Sequence, residues 1–246
     1  MKHPSYHLRP NKVVDRLLFL NVLKNLESFW GNLANYTYFG FGGPYLDDIR
    51  VLSQHFPKME YVSVESNKQT YKRQLFHKNS KNLTLKNKDW KSYIKQDFPS
   101  GDLAIIWLDN TTLEPDKLDD FSETLTHVAS KSIVKITVRA EEDGFKYRDA
   151  ERFISLKQRE ELKQSWIDNF QQKYDDFLDR KISENDLTPK NLPNLIQDMF
   201  ACAAQSVLRS YAGITFQPLH SCVYADGSLM FSLTGEIGRA SCRERV

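Results

Sequence analysis

Short apolar runs recur along the first 140 residues of the chain, and segments with helical periodicity separate them. Five runs rich in β-branched and aromatic residues have strand composition, at 36–42, 60–66, 82–88, 102–109 and 132–140. Helix candidates lie between them at 44–56, 67–79, 89–96 and 117–130. The fourth run, DLAIIWLD, is nearly all apolar, as expected for a strand covered on both faces. This alternation predicts a parallel sheet covered by helices.

A further helix is predicted before the first strand. Pro10 is a favoured first helical residue, and apolar residues follow with helical spacing at Val13, Val14, Leu17, Leu18 and from Leu20 to Leu26. This stripe predicts the face that packs on the sheet. Lys12 and Arg16, one turn apart, are predicted to lie on the face opposite the leucines.

The alternation stops after the fifth strand. Arg152 to Arg180 predicts a long polar helix or a helix pair, and a more apolar helix follows from 195 to 213. Two strands are then predicted within 216–235 around Asp226 and Gly227, which form a hairpin turn signal. We therefore predict one α/β domain, residues 1–235, with a Rossmann-like, mostly parallel seven-stranded sheet. It has helices on both faces, a helical insertion at about 148–212 and a terminal antiparallel hairpin. An NAD-binding domain would more usually end in a sixth parallel strand.

Composition excludes some functions. The chain has 246 residues and a formal net charge of +2, so its overall charge does not favour nucleic acid or an anionic membrane as a partner. The N-terminus lacks the apolar core of a secretory signal, and no run approaches the roughly 18 apolar residues of a spanning helix. We expect a soluble cytoplasmic protein without a membrane partner.

The last eleven residues, EIGRASCRERV, resemble the translation of a common sequencing adapter. We therefore expect residues 236–246 to be a non-native tail, with the native sequence interrupted near Gly235. Two cysteines remain outside this tail, Cys202 and Cys222. Their spacing matches no metal motif, so we predict free thiols and no metal site.

The predicted strands carry candidate binding residues at their carboxyl ends, where open α/β sheets bind ligands. They are Gly40, Gly42 and Gly43 after the first strand, Glu65 after the second, Asp89 and Trp90 after the third, and Asp109 after the fourth. Glycines allow close approach of a ligand to the backbone, although they also suit a tight turn. Glu65 can accept hydrogen bonds from both hydroxyls of a ribose. Asp89 is alternatively a good N-cap for the helix that follows.

The strand count and this constellation resemble the class I S-adenosylmethionine-dependent methyltransferases. The resemblance implies S-adenosylmethionine as cofactor, with Glu65 on its ribose, Asp89 and Trp90 beside its adenine, and Asp109 near the transferred methyl, where it could orient or deprotonate a nucleophile. The motif WLDNTT differs from the DPPY of enzymes that methylate amino groups of nucleic acids. Together with YHLRPNK, YFGFGGPYLDD, KRQLF and YADGSLMFSLTG, it is similar to a bacterial family labelled O-methyltransferase, and that label names no acceptor.

Basic residues near the N-terminus form a second group of candidates. The segment before the first strand often covers the cofactor or substrate in such methyltransferases, so Arg9, Lys12 and Arg16 could bind an anionic substrate and His7 could act as a base. A solvated charged face, partly neutralised by Asp15, is the alternative. On the fifth strand Arg139 could reach a substrate.

Lys135 interrupts the otherwise apolar fifth strand, and a buried lysine needs a partner. We predict that Lys135 pairs with a neighbouring acid.

Three functions remain open from the sequence. The first is methyl transfer from S-adenosylmethionine to a small or unidentified acceptor. The second is a non-catalytic Rossmann-like module that binds a nucleoside or a regulatory partner. The third is modification of a nucleic acid, supported by the N-terminal basic residues and the lysines between Lys68 and Lys95. The sequence does not predict an oligomeric state.

Overall fold

The computed structural model of the protein describes residues 9–78, 80–141, 155–211 and 213–239. Its helices are α1 (Pro10–Trp30), α2 (Asp47–His55), α3 (Lys68–His77), α4 (Trp90–Gln96), α5 (Pro115–His127), α6 (Leu156–Lys173) and α7 (Leu192–Leu208). Its strands are β1 (Thr37–Gly40), β2 (Glu60–Val64), β3 (Leu83–Lys86), β4 (Ala104–Asp109), β5 (Ile133–Arg139), β6 (Ile214–Ala225) and β7 (Leu229–Arg239).

The seven strands form one sheet in the order β3-β2-β1-β4-β5-β7-β6. Strands β1 to β5 pair in parallel, whereas β7 pairs antiparallel with both β5 and β6. The predicted parallel sheet and terminal hairpin are therefore confirmed. Because β1 and β4 are neighbours that connect in opposite directions along the sheet, their carboxyl ends border the crevice where such sheets bind ligands.

Two hydrophobic cores cover the faces of the sheet. On one face, Phe19, Leu20 and Leu23 of α1 pack with α2 residues against Tyr38, Tyr61 and Trp107. On the other face, α4, α5, α6 and α7 pack against the opposite side chains of the strands, including Phe39, Ile106 and Ile136. This arrangement leaves the carboxyl edge of the sheet open for a site.

Helix α1 does not present the face that the leucine stripe predicts. Its buried residues are Lys12, Asp15, Arg16, Phe19, Leu20 and Leu23, whereas Val14 and Leu17 are 51% and 47% exposed. The prediction that Lys12 and Arg16 lie on the solvated face is wrong. Phe19, Leu20 and Leu23 set the rotation of the helix, and positions three and four residues earlier share their face. The first turns of α1 therefore turn charged side chains toward the carboxyl edge of the sheet.

Strand β7 continues through residues 236–239, which belong to the predicted non-native tail. Ile237 is 1% exposed, its amide donates to the Ser132 carbonyl, and its carbonyl accepts from the Lys131 amide. Residues 240–246 lie outside the described part of the chain. The tail assignment and the domain bounds stay predictions, since the strand pairing does not bear on the origin of the residues.

Candidate functional site

Two adjoining cavities lie at the carboxyl ends of β1 to β4. The first, here called the glycine-loop cavity, has a volume of about 220 Å³ and is lined by Lys12, Arg16, the start of the loop after β1, and Asp109. The second, here called the β3–β4 cavity, has a volume of about 470 Å³ and is lined by Asp89, Trp90 and the residues that follow β4. Phe41, Glu65 and Asp109 line both cavities. They therefore form one groove along the edge of the sheet.

A larger cavity, of about 590 Å³, lies between α7 and β6. None of the residues predicted for the site lines it. The predicted residues and the largest cavity are thus in different parts of the molecule.

The loop after β1, residues 41–46, has an unusual backbone. Gly42 and Gly43 have φ angles of +68° and +55°, and Leu46 has +57°. A β-carbon on Gly42 would lie 2.8 Å from both the Leu46 side chain and the Ser63 hydroxyl oxygen. Gly42 is therefore required by the loop itself, through its φ angle and its packing. Non-glycine residues with positive φ are strained and concentrate at functional sites, which makes Leu46 notable.

Two buried polar side chains hold this loop in place. The Gln74 amide nitrogen donates to the carbonyls of Phe41 and Gly43 at 2.8 and 2.9 Å. The Ser63 hydroxyl contacts the same Phe41 carbonyl at 3.0 Å and the Gln74 side-chain oxygen at 3.1 Å. Both residues are fully buried. The sequence analysis missed them, and the signal that was available is a polar residue at a core position of a strand and of a helix.

Gly40 leaves room for a second buried contact. The Tyr38 hydroxyl donates to an Asp48 carboxylate oxygen, and a β-carbon on Gly40 would lie 2.6 Å from that hydroxyl. Burial raises the pKa of Asp48, although the hydrogen bond from Tyr38 and the charge of Arg16 oppose this. Asp48 lines the glycine-loop cavity. The cavity wall thus includes a carboxyl group that binds its proton more tightly than an exposed aspartate.

Glu65, Asp89 and Trp90 lie in the groove as predicted. Glu65 accepts from the Asn67 amide at 2.7 Å, and burial raises its pKa. Asp89 caps α4 by accepting from the Ser92 amide, and this bond lowers its pKa. Trp90 is almost fully buried and donates from Nε1 to the Thr124 hydroxyl. Asp89 therefore has the capping role that its position also suggested, and it lines the cavity as well.

Asp109 forms an ion pair with Lys12 of α1, with 2.5 Å between Nζ and Oδ1. Lys12 also donates to the Tyr224 hydroxyl at 3.2 Å and lies over the Trp107 ring, 5.2 Å from its centre. The Lys12 side chain is 3% exposed, and that of Asp109 is 31% exposed. Asp109 thus presents a carboxylate to the groove while its partner is enclosed.

The ion pair continues into the core. Asp15, one turn after Lys12, pairs with Lys135 of β5 at 2.6 Å and accepts from the Tyr224 hydroxyl at 3.3 Å. Lys135 also donates to the Ser232 hydroxyl of β7. The prediction that Lys135 pairs with an acid is confirmed, and the partner is on the helix before the first strand.

Arg16 has a different environment from Lys12. Its side chain is 8% exposed and lines the glycine-loop cavity. Its only ion pair within the described residues joins it to Asp47 at 3.8 Å. No hydrogen bond from its guanidinium to any described residue lies within normal distance.

The other predicted substrate-binding residues lie away from the cavities. Arg9 pairs with Asp226 in the hairpin turn at 3.1 Å. Arg139 pairs with Glu141 at 3.2 Å. Neither lines the groove. His7, the predicted base, lies outside the described residues. Because Lys12 and Arg16 are buried, the N-terminus does not present the solvent-exposed basic face on which the nucleic-acid hypothesis partly rested.

The family comparison agrees with this fold and site. Residues 4–246 match the model of a family described as "Putative O-methyltransferase". The chain belongs to this family. The resemblance drawn from the sequence motifs is thereby confirmed. No curated protein matches the chain in sequence.

Solved methyltransferase structures share low sequence identity with the chain. The plantazolicin methyltransferase BamL, solved with a desmethyl analogue and SAH, is 10% identical, with a TM-score of 0.48 over 82% of this chain and 77% of that one. Human N-acetylserotonin methyltransferase, solved with SAM, is 10% identical, with a TM-score of 0.44 over 96% of this chain and 60% of that one. A 16S rRNA (adenine(1408)-N(1))-methyltransferase from Catenulisporales acidiphilia is 11% identical, with a TM-score of 0.43 over 83% and 85%.

Two searches of the described residues for other kinds of site were negative. No group of three or more metal-ligating side chains could hold a metal ion. Within the same residues, no helix combines the length and apolar character needed to cross a bilayer. Cys202 and Cys222 are both free thiols, as predicted.

Proposed function

We propose that this member of the O-methyltransferase family binds S-adenosylmethionine along the groove and transfers its methyl group to an acceptor held near Asp109. The observation that carries the proposal is the continuity of the two cavities across the carboxyl ends of β1 to β4. Each strand end contributes one of the residue types that the bound donor needs.

The β3–β4 cavity fits the nucleoside part of the donor. Glu65 lies where both cavities meet, and its carboxylate can accept from two ribose hydroxyls. Phe41 and Trp90 pack edge to face with centres 6.2 Å apart, which provides an apolar wall for a flat base. Asp89 can accept a hydrogen bond from the base with the carboxylate oxygen that does not cap α4.

Asp109 is the residue that we propose for the transfer. When bound, the donor supplies a methyl group on a sulfonium, which an oxygen nucleophile can displace. The Asp109 carboxylate can accept the proton of an acceptor hydroxyl or hold that hydroxyl in line. Lys12 holds this carboxylate in position and keeps it ionised, since an adjacent cation favours the charged form.

The proposal is tested by calorimetric titration of the protein with S-adenosylmethionine and S-adenosylhomocysteine. We expect both to bind and to raise Tm by mass action. Glu65→Ala should weaken both by roughly tenfold, as loss of a charged hydrogen-bonding group does. Glu60→Ala is the control, because Glu60 is exposed at the opposite end of the same strand. If wild-type protein binds neither ligand, or if Glu65→Ala binds as wild type, the site assignment is wrong.

Asp109→Asn tests the chemical role. We expect the variant to bind S-adenosylmethionine within about threefold of wild type and to lose at least about 100-fold in turnover, a typical contribution of a positioned base. Turnover is followed as S-adenosylhomocysteine release with an acceptor identified by a hydroxyl-compound screen. Unchanged turnover would assign Asp109 a structural role as the partner of Lys12.

A further inference from the structure

Arg16 is the one cation of the glycine-loop cavity that has no close partner among the described residues. Lys12 is enclosed by Asp109, Tyr224 and Asp15, so its charge is already compensated. Arg16 is 7% exposed, yet its only ion pair within the described chain is the 3.8 Å contact with Asp47. A guanidinium has five N–H donors and stays charged in proteins. Such a group is costly to bury unless something accepts its hydrogen bonds.

The cavity around Arg16 also carries acidic groups. Asp47 and Asp48, at the start of α2, line the same cavity. Asp48 accepts a hydrogen bond from Tyr38 with one oxygen. An anion alone would meet these carboxylates and be repelled. A ligand with a cationic group beside its carboxylate would satisfy both the arginine and the two acids.

We propose that Arg16 binds the carboxylate of an α-amino acid group, with the ammonium of that group facing Asp47 and Asp48. The planar guanidinium fork matches a carboxylate in a bidentate manner, which an ammonium such as that of Lys12 does not. The cavity volume of about 220 Å³ suits a group of this size better than a whole nucleoside. This inference rests on the proposed function in placing a donor in the groove.

Two ligands could supply the amino acid group: the methionyl end of S-adenosylmethionine, or an amino acid acceptor. The test compares Arg16→Gln with wild type for binding of S-adenosylhomocysteine and of 5′-methylthioadenosine, which lacks the amino acid group. L-methionine is also titrated into protein saturated with each nucleoside. Arg16→Lys tests whether charge without the fork suffices, and Arg50→Gln removes an exposed arginine from α2 as a charge-matched control. Far-UV CD and Tm check that each variant folds.

Binding through the donor predicts that Arg16→Gln weakens S-adenosylhomocysteine by about ten- to 100-fold. In that case 5′-methylthioadenosine binds unchanged, and Arg16→Lys gives a smaller loss. L-methionine then binds wild-type protein saturated with 5′-methylthioadenosine and not protein saturated with S-adenosylhomocysteine. An amino acid acceptor predicts instead that L-methionine binds protein already saturated with S-adenosylhomocysteine, and that Arg16→Gln abolishes this binding.

The proposal is overturned if Arg16→Gln matches wild type and Arg50→Gln in every titration. If wild-type protein binds neither nucleoside, the proposed function fails separately. L-methionine binding to the ligand-free protein, and its dependence on Arg16, then decides the Arg16 assignment alone.

Discussion

Asp15 and Lys135 lie 120 residues apart in the chain and form an ion pair in which each side chain is 1% exposed. The pair joins α1 to the centre of the sheet beneath the candidate site. Burial on its own would raise the pKa of Asp15, but the charges of Lys135 and Lys12 outweigh it and the pKa is lowered. The carboxylate therefore stays ionised in the core.

Asp15→Asn should strongly destabilise the protein. Removing one partner of a buried pair leaves the other charge uncompensated, which costs about 3–5 kcal/mol in unfolding free energy. Urea unfolding followed by CD measures the change. Asp116→Asn is the control, since Asp116 pairs with Lys117 at the surface and such pairs contribute about 0–1 kcal/mol. Equal losses in the two variants would contradict the role of the pair. The double variant Asp15→Leu with Lys135→Met should lose less than the two single changes summed.

Asp48→Asn should stabilise the protein at neutral pH. The pKa of Asp48 is raised on folding, so the folded state binds this proton more tightly than the unfolded state. Stability is therefore lost as pH rises from the unfolded pKa of about 3.9 through the raised folded pKa. Asparagine avoids this cost, and we expect Tm to rise on the order of 2–4 °C at about pH 7, as about 1 kcal/mol gives in a chain of this size.

The pH dependence is the decisive part of that experiment. At about pH 3 wild-type Asp48 is largely protonated in both states, so the difference between variant and wild type should shrink. Asp102→Asn, at an exposed position, should show no such trend. A Tm difference that is constant with pH would mean that the effect does not come from the Asp48 charge.

Gln74→Leu should release the loop after β1. The variant loses both hydrogen bonds to the Phe41 and Gly43 carbonyls, each of which then lacks its side-chain donor. We expect affinity for S-adenosylhomocysteine to fall by about tenfold, with a stability loss of about 1–3 kcal/mol. Calorimetry and urea unfolding separate the two effects. Gln69→Leu, at an exposed position of the same helix, should change neither, and affinity equal to wild type in Gln74→Leu would remove the loop from the binding site.

Ile237→Ala should destabilise the fold although it lies in the predicted tail. Its side chain belongs to the core beneath α7, and truncating a buried isoleucine costs about 2–5 kcal/mol. Val223→Ala, at a position 45% exposed on β6, should cost less than about 0.5 kcal/mol. The comparison by urea unfolding shows whether residues 236–239 contribute to folding stability. Equal stability of the two variants would show that the strand end does not pack in solution.

The order of strands and helices could be predicted from the sequence because each strand shows its own composition and the helices between them are amphipathic. DLAIIWLD became β4, and the hairpin formed around Asp226 and Gly227. Site residues at strand ends could also be predicted, since Glu65, Asp89 and Asp109 follow directly from the strand bounds. These predictions needed only local pattern.

The rest depended on contacts between distant segments. Gly42 attracted attention as a ligand-contacting glycine, whereas the structure shows that its own loop needs it through Leu46 and Ser63. Gly42→Val would therefore disturb the loop itself and cannot isolate a ligand contact. Gln74 gave no local signal, because its role depends on a loop about 30 residues earlier.

The inward face of α1 makes that helix a measuring device for the site. Lys12, Asp15 and Arg16 reach their partners only because Phe19, Leu20 and Leu23 are anchored on the sheet in the same rotational phase. Each added residue in a helix turns what precedes it by about 100° and shifts it by about 1.5 Å. One residue inserted between Arg16 and Phe19 would carry all three charged groups away from the groove while leaving every one of them in the chain. For this protein, the distance in sequence between the charges and the anchors matters as much as the charges themselves.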